Sequence, residues 1–297
     1  MRLFIVANVN KPQVRPALES LLPWLEQRVK IVGVDEECSG DWPNLQADCI
    51  LVLGGDGTLL ATARRLKGRA IPVMGINFGR LGFLADFTLE QFRPWFERML
   101  QSGLPISRRS MLEVSVLPPA VECRSSDIEA VERHRTFHDH ALNEVVVIAG
   151  PPFRMIDLEL SADHETESTS GIRYSGDGVI IATASGSTAY NVAAGGPIIS
   201  PTVDAMCITP LCPHSLSFRP IVLAMESTVL ISAIRVNSGT TLACDGQSTT
   251  PLRVGSRVII RRSPHQLLLV DNPDTKEWGV LAEKLHWALS PGYNPGS

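Results

Sequence analysis

The chain has no excess of positive charge and no long apolar run. Its 297 residues include 27 Lys and Arg against 31 Asp and Glu, which gives a net charge of −4. A general nucleic-acid binder normally has a basic excess, so we expect no nucleic-acid partner. No apolar stretch approaches the length of a membrane span, and we expect no membrane association. The apolar run at residues 2–8 lacks the longer core of a signal peptide and is predicted to be the first strand.

The cysteines show no paired spacing. The six cysteines are Cys38, Cys49, Cys123, Cys207, Cys212 and Cys244. Three of them, Cys49, Cys207 and Cys244, stand in apolar segments that resemble strands. Buried thiols without a disulfide framework are typical of a reducing compartment. We therefore expect a cytoplasmic protein.

Several nucleotide-binding and hydrolase signatures are absent. The chain contains no Gly-x4-Gly-Lys-Ser/Thr loop and no Gly-x-Ser-x-Gly elbow. The glycines of residues 75–82 do not have the Gly-x-Gly-x-x-Gly spacing of a dinucleotide-binding fold. These absences exclude a P-loop enzyme and a serine hydrolase built on a nucleophile elbow.

The most informative feature present is a glycine-rich turn. It consists of Gly54, Gly55, Asp56, Gly57 and Thr58, between an apolar run that predicts a strand and a pattern that predicts a helix. Glycine lets the backbone approach a ligand closely, and the free N–H groups of the following helix favour a phosphate. An aspartate at this place suits a hydroxyl or a metal ion beside the phosphates. A tight turn with a solvated Asp is the alternative interpretation.

The first hundred residues alternate strand and helix. Strands are predicted at 3–9, 29–34, 49–53 and 71–76, and a capping box at Thr88 and Gln91 predicts the start of a helix. Continuous apolar strands separated by helices indicate an α/β domain with a parallel sheet. We place this N-terminal domain at residues 1–103.

After Gly103 the pattern changes to short strands separated by turns. These strands are predicted at 111–117, 141–148, 155–160, 179–183, 229–234, 257–261 and 266–270. They indicate a mostly antiparallel, β-rich domain at residues 104–271. Within it, residues 118–135 are rich in Glu, Arg and Ser and are predicted to be a mobile surface excursion. Residues 272–297 contain a helical pattern at 277–289, and we expect this C-terminal helix to return to the first domain.

Three further segments carry polar groups that suit ligand binding. Asn143 and Glu144 stand at the start of an apolar strand, where the Glu carboxylate can accept hydrogen bonds from two hydroxyl groups. The alternative interpretation is that both residues simply solvate the end of a strand. Residues 175–197 combine an apolar strand, a hydroxyl-rich turn and a short helix of small residues. This pattern is typical of a phosphate or ribose cradle, or of a capped helix that packs tightly. Residues 245–247, Asp-Gly-Gln, by themselves predict a hairpin turn.

Taken together, these motifs resemble those of the NAD kinases. The matching segments are GGDGT at 54–58, GIN at 75–77, LGFL at 81–84, NEV at 143–145, DG at 177–178, SGSTAY at 185–190, GGP at 195–197, PHSL at 213–216 and DGQ at 245–247. They follow the order of the family, and the SGSTAY and NEV segments make the resemblance specific. The family's two domains, one α/β and one β-rich, agree with the pattern described above.

The resemblance implies a reaction and a set of site residues. The terminal phosphoryl group of ATP, accompanied by Mg²⁺ or another divalent cation, would be transferred to the 2′-hydroxyl of the adenosine ribose of NAD, giving NADP. Asp56 would be the general base, and Gly54, Gly55 and Thr58 would form the phosphate loop. Nucleotide contacts are implied for Gly57, Asn143, Glu144, Arg154, Ser175, Asp177, Thr188, Ala189, Tyr190, Asn191, Val192, Ala193 and Gln247. No residue is assigned as a metal ligand, and the family's usual assembly implies a homodimer or homotetramer.

Two other functions are compatible with the glycine-rich turn. A lipid or sugar kinase can share it, but the residues after Asn77 lack the Gly-Thr-Gly-Asn run of lipid kinases. A non-catalytic dinucleotide sensor would bind NAD without turnover, and the intact Asp56 argues against it. The chain also departs from the family pattern at Ser175, where Arg or Gly is common, and at Ala184, where proline is often found.

Overall fold

The chain divides into two structural units. A computed structural model describes residues 1–38, 40, 42–79, 82–119, 121, 123–163, 171–275 and 277–285. The described residues of Met1–Arg108 and Leu268–Ser297 form the first unit, and those of Arg109–Leu267 form the second. Both divisions fall inside strands, Ile106–Leu117 and Arg257–Val270. They therefore lie a few residues from the turns at which the sequence pattern divides the chain.

The first unit is an α/β structure with a parallel sheet. Its leading elements are β1 Arg2–Ala7, α1 Val14–Glu26, β2 Lys30–Asp35, β3 Cys49–Gly54, α2 Asp56–Arg65, β4 Val73–Asn77 and α3 Leu89–Ser102. The strand order is β2-β1-β3-β4, and every neighbouring pair is parallel. Gly54 and Asn77 are register partners at the carboxyl ends of β3 and β4. The predicted α/β class is confirmed.

Apolar periodicity explains why these helices pack on the sheet. Helix α1 buries Val14, Leu18, Leu21 and Leu25, the residues that its pattern places on one face. Helix α3 begins at the predicted capping box, in which Thr88 and Gln91 satisfy each other's backbone N–H groups.

The second unit is antiparallel and β-rich, as predicted. Its elements are β5 Ile106–Leu117, α4 Ile128–His134, β6 Phe137–Ala141, β7 Glu144–Ile148, β8 Ile156–Asp163, β9 Ile172–Gly176, β10 Gly178–Thr183, α5 Tyr190–Ala193, β11 Ala205–Leu211, β12 Ile221–Ala224, β13 Thr228–Arg235, β14 Thr241–Cys244, β15 Ser248–Pro251 and β16 Arg257–Val270. One sheet has the order β12-β11-β10-β7-β14-β15, and β13 pairs with β8 and β16 in the other. Buried residues of both sheets, such as Val145, Val147, Leu158 and Ile231, form one core cluster.

Several local predictions for the second unit are wrong. The strand predicted at 141–148 is broken between β6 and β7, and the strands predicted at 257–261 and 266–270 are one strand, β16. Residues 118–135 include helix α4, which is capped by Asp127 and buries Val131 completely, so they are not simply a surface excursion. Cross-strand pairing decides strand ends and continuity, and this pairing is not visible in local periodicity.

The last described element is α6, Glu277–Leu285. The Lys284 Nζ lies 4.2 Å from the centroid of the Phe83 ring, a cation–π contact within the first unit. The remainder of the predicted helix, 286–289, lies outside the described residues. Among the helices of the described chain, none combines the length and apolarity needed to cross a bilayer. All six cysteines carry free thiols, and Cys49, Cys207 and Cys244 are buried as predicted.

Candidate functional site

The glycine-rich turn, residues 54–58, lies between β3 and α2. Helix α2 begins at Asp56, inside the turn itself, with the extended Gly55 as its N-cap. The first turn of a helix needs few intrahelical bonds, so weak helix formers are tolerated there. Asp56 consequently stands in the first turn, where the positive end of the helix dipole favours its negative charge.

The Asp56 carboxylate is held by three backbone N–H groups. Phe83 donates to Oδ2 at 2.9 Å, and Leu84 and Ala85 donate to Oδ1 at 3.3 and 3.0 Å. A carboxylate offers about four acceptor positions, so these bonds leave about one for a ligand. The side chain is therefore fixed in direction and retains one oxygen lone pair with which to meet a hydroxyl proton.

Two glycines allow this arrangement because a side chain would not fit. A Cβ on Gly82 would overlap Asp56 Oδ1 and lie 2.6 Å from Asp56 Cγ. A Cβ on Gly54 would lie 2.5 Å from the Oγ1 of Thr58. Thr58 itself is buried and accepts a hydrogen bond from Asn8 Nδ2 at 3.3 Å. The Thr58 side chain thus supports the turn from beneath, whereas Gly57 is exposed with open space where its Cβ would be.

Lys11 is a residue of this site that the sequence interpretation missed. Its ammonium donates to the carbonyls of Gly54 at 3.0 Å and Phe78 at 3.3 Å. A Cβ on Gly55 would come within 2.8 Å of this Nζ. An ammonium has three donors, so one remains for a ligand. The position of Lys11 in the chain could have identified it. Lys11 follows β1, which neighbours β3 in the sheet, and loops at the carboxyl ends of parallel strands bind ligands.

The second unit contains what we call the Asn-Glu cluster: Asn143, Glu144, Tyr190 and Asp245. Asn143 and Glu144 are 8% and 7% exposed. None of the described residues hydrogen-bonds to the buried atoms Asn143 Oδ1 and Glu144 Oε2. The backbone N–H of Tyr190 does bond to the Glu144 carboxylate. Two unsatisfied buried acceptors side by side require donors, which a ligand's hydroxyl or amide groups can supply.

Glu144 also has a perturbed acidity. Burial, followed by the charge of Asp245, raises the pKa of the Glu144 carboxyl to about 7, and the Tyr190 N–H partly opposes this shift. Burial disfavours the ionised form, and a neighbouring carboxylate disfavours it further. A carboxyl that titrates near neutrality in a buried polar cluster is typical of a functional site.

The run from 185 to 193 packs directly on Asn143. A Cβ on Gly186 would overlap the carbonyl group of Asn143, so only glycine fits there. Ser187 donates to the Ala184 carbonyl at 2.7 Å and accepts from the Ile199 N–H at 3.0 Å. Asn191 is fully buried, and its amide bonds to Ser187, Pro197 and Thr209. Both side chains therefore have partners inside the fold, as a tightly packed helix requires.

The remaining predicted contacts have diverse surroundings. The Ser175 hydroxyl donates to Asp157 at 2.6 Å, and Arg235 pairs with the same carboxylate. Asp177 is exposed and hydrogen-bonds to the Cys212 thiol, which raises the pKa of that thiol. The structure places the other predicted residues at partly or fully exposed positions: Arg154, Thr188, Ala189, Tyr190, Val192, Ala193 and Gln247.

Clusters of metal-ligating side chains are absent from the described part of the chain. It contains no group of three or more His, Cys, Asp or Glu that could hold a metal ion.

The α/β unit with its acidic glycine-rich turn and the antiparallel unit with its buried polar cluster are the two parts that the sequence analysis expects of a nucleotide-dependent phosphotransferase. Two family models match the chain: the ATP-NAD kinase N-terminal domain over residues 41–104 and the ATP-NAD kinase C-terminal domain over residues 142–272. The chain belongs to the NAD kinase family, which confirms the resemblance inferred from its motifs.

Individual relatives agree over nearly the whole chain. The NAD kinase of Rhodopirellula baltica is 33% identical to this chain. The matched region covers 97% of this chain and 87% of the relative. The NAD kinase of Desulforamulus reducens is 37% identical, and the matched region covers 95% of this chain and 96% of the relative. A crystal structure of yeast NADH kinase complexed with NADH shows the same fold, with a TM-score of 0.83 at 23% sequence identity. The match covers 100% of this chain and 90% of the yeast chain. The crystal structure of an NAD kinase from Archaeoglobus fulgidus in complex with ATP has a TM-score of 0.65 at 26% sequence identity. The match covers 92% of this chain and 94% of the archaeal chain.

Proposed function

We infer that this protein transfers the terminal phosphoryl group of ATP to the 2′-hydroxyl of the adenosine ribose of NAD, giving NADP. The observation that carries the proposal is the Asp56 carboxylate, fixed by three backbone N–H groups at the start of α2. A lipid or sugar kinase, or a non-catalytic dinucleotide sensor, is not favoured once the family is known.

Asp56 acts as the general base in this proposal. A ribose hydroxyl is a weak nucleophile until its proton is removed, and a carboxylate within hydrogen-bond reach accepts that proton as the phosphoryl group transfers. The three N–H bonds keep Asp56 in one orientation. Its remaining acceptor position therefore needs little rearrangement when the hydroxyl arrives.

The glycine-rich turn and Lys11 handle the phosphates. Phosphoryl transfer depends on alignment and on neutralising charge at the phosphate oxygens. Gly54, Gly55 and Thr58 shape the turn, and Lys11 supplies a positive charge beside it. In the absence of a P-loop lysine, Lys11 takes the corresponding electrostatic part. Mg²⁺ or another divalent cation enters as part of the ATP substrate, on phosphate oxygens.

The second unit binds the dinucleotide. Ribose hydroxyls or an amide donate to Asn143 Oδ1 and Glu144 Oε2, the unsatisfied acceptors. The resemblance to the family also assigns contacts to exposed or half-buried residues of this unit: Arg154, Ser175, Asp177, Thr188, Ala189, Tyr190, Val192, Ala193 and Gln247. Gly57, an exposed residue of the glycine-rich turn, is assigned a nucleotide contact on the same basis. Asn191, whose side chain is enclosed, contributes through its backbone.

An NADP assay tests the function directly. Purified protein is incubated with NAD and MgATP, and NADP is measured with a strictly NADP-dependent dehydrogenase. Parallel reactions replace ATP by polyphosphate and NAD by NADH to define donor and acceptor. We expect NADP with NAD and ATP. A failure to form phosphorylated product with any donor and acceptor, by a protein that is folded, would refute the proposal.

The charge of Lys11 is expected to matter for ATP. Replacing Lys11 with Met should raise the KM for ATP by about 10–100-fold, because a hydrogen bond to a charged group contributes about 1.5–3 kcal/mol. The affinity for NAD, measured by calorimetry, should not change. Lys30→Met, on an exposed residue of β2, is the matched control and should behave as wild type. An unchanged KM for ATP with a lowered Tm would instead make Lys11 a structural tie between loops.

The family resemblance also supports a cytoplasmic homodimer or homotetramer. Light scattering on the purified protein measures the assembly, and a monomer at working concentration would contradict this part of the proposal.

A further inference from the structure

The hairpin between β14 and β15 contains a buried carboxylate at its tip. The turn begins with Asp245 and Gly246, both with positive φ, of 49° and 64°, as the Asp-Gly pattern predicts. A residue at the tip of a hairpin normally faces water, yet Asp245 is only 9% exposed. A buried carboxylate is costly unless hydrogen bonds compensate it, so its surroundings indicate what it does.

Asp245 accepts three backbone N–H groups from a distant part of the sequence. Leu142 donates to Oδ2 at 2.8 Å, and Asn143 and Glu144 donate to Oδ1 at 2.8 and 3.1 Å. These donors lie at the break between β6 and β7, where the sequence pattern predicts one continuous strand. Asp245 therefore holds the backbone where one strand ends and the next begins.

The same backbone carries the two unsatisfied acceptors of the Asn-Glu cluster. Within the described chain, Asn143 Oδ1 and Glu144 Oε2 have no hydrogen-bond partner. Leaving such buried atoms unsatisfied costs about 1–3 kcal/mol each. Asp245 anchors the backbone of Asn143 and Glu144, which keeps both acceptor atoms in place for a ligand.

We propose that Asp245 is a positioning residue for dinucleotide binding, which holds Asn143 and Glu144 in place through their backbone N–H groups. It acts on the ligand through this pair. The proposal rests on the function proposed above and extends it to a residue that the motif alone identifies only as part of a turn.

Electrostatics gives the proposal a measurable signature. The groups that face Glu144 are the Asp245 carboxylate, which raises the Glu144 pKa, and the Tyr190 N–H, which lowers it. The ionised carboxylate accepts hydroxyl protons better than the neutral acid, so NAD binding should strengthen as the pH rises through the Glu144 pKa of about 7. Removing the Asp245 charge should lower that pKa and extend tight binding to more acid conditions.

The experiment is a titration of NAD binding against pH by calorimetry, which requires no turnover. For the wild type, the logarithm of Kd plotted against pH should bend near 7. For Asp245→Asn, the bend should move towards acid by about one unit. The Kd at alkaline pH should rise about tenfold, since an amide cannot accept all three N–H groups.

Two further variants sharpen the result. Glu144→Gln removes the titrating group, so its profile should be flat through neutral pH, even if Asp245→Asn does not fold. Asp127→Asn is the matched control: Asp127 accepts one backbone N–H at the start of α4, and its change should leave the Kd profile as in wild type.

The outcomes separate the two proposals. A folded Asp245→Asn protein whose bend coincides with that of the wild type would overturn the positioning role alone, as would a Glu144→Gln protein that keeps the wild-type bend. A wild type that binds no NAD at any pH would overturn the proposed function and this inference with it.

Discussion

The Asp56→Asn variant is expected to lose kcat by about 10²–10⁴-fold, the usual contribution of a positioned general base. The amide can occupy the same space but cannot accept the ribose proton. NAD binding should persist, because the acceptors assigned to NAD lie on Asn143 and Glu144. Steady-state kinetics gives kcat, and calorimetry gives the Kd for NAD in the same preparation.

Stability must be measured alongside, because Asp56 also serves the fold. The amide nitrogen of Asn would face one of the N–H donors of residues 83–85, and losing that bond costs about 1–3 kcal/mol. Thermal unfolding would show this as a lowered Tm. Asp48→Asn, on an exposed residue of the first unit that bonds Arg2, provides the matched control with wild-type kcat. A folded Asp56→Asn protein with nearly normal kcat would reject the base assignment.

The Gly82→Ala variant is expected to reduce kcat by about 10–100-fold without any change in a reactive group. The added Cβ would overlap Asp56 Oδ1, so the carboxylate or the 82–85 backbone must move. A misplacement of about 1 Å at a catalytic group can cost about 10²-fold in rate. The KM for NAD and for ATP should change less than kcat, because the substrate-binding groups are not displaced.

A double-mutant cycle shows whether this loss acts through Asp56. In the Asp56→Asn background, Gly82→Ala should have little further effect on kcat, since the displaced group is already inactive. Gly279→Ala, in helix α6 with open space at its Cβ, is the matched glycine control and should keep wild-type activity. If the two losses simply multiply, the effect of Gly82→Ala does not pass through Asp56.

Local signals predicted the elements around the glycine-rich turn and the start of α3 correctly. The apolar run and glycines around residue 54 predicted a strand, a turn and a helix, and the structure has all three. The capping box at Thr88 and Gln91 predicted the start of α3. Each signal depends on residues within a few positions of one another, whose geometry is governed by backbone conformation and nearby side chains.

Signals failed where distant chain segments meet. Strand β16 is continuous where two strands were predicted, and helix α4 was missed because the polar composition of residues 118–135 concealed one buried residue, Val131. In the candidate site, Lys11 carries no motif of its own, and the local Asp-Gly-Gln pattern by itself predicts only a turn at Asp245. Their partners lie more than forty residues away, and about a hundred away for Asp245.

The amino-acid order was sufficient to establish the α/β and β-rich units, the family and the acidic side chain at the glycine-rich turn. Those features depend on short-range periodicity and on residue types at close spacing. Only the folded chain shows that two aspartates, Asp56 and Asp245, are each held by three backbone N–H groups of another loop. Such bonds form when sheet pairing brings separate loops together, and no local pattern encodes the distance between them.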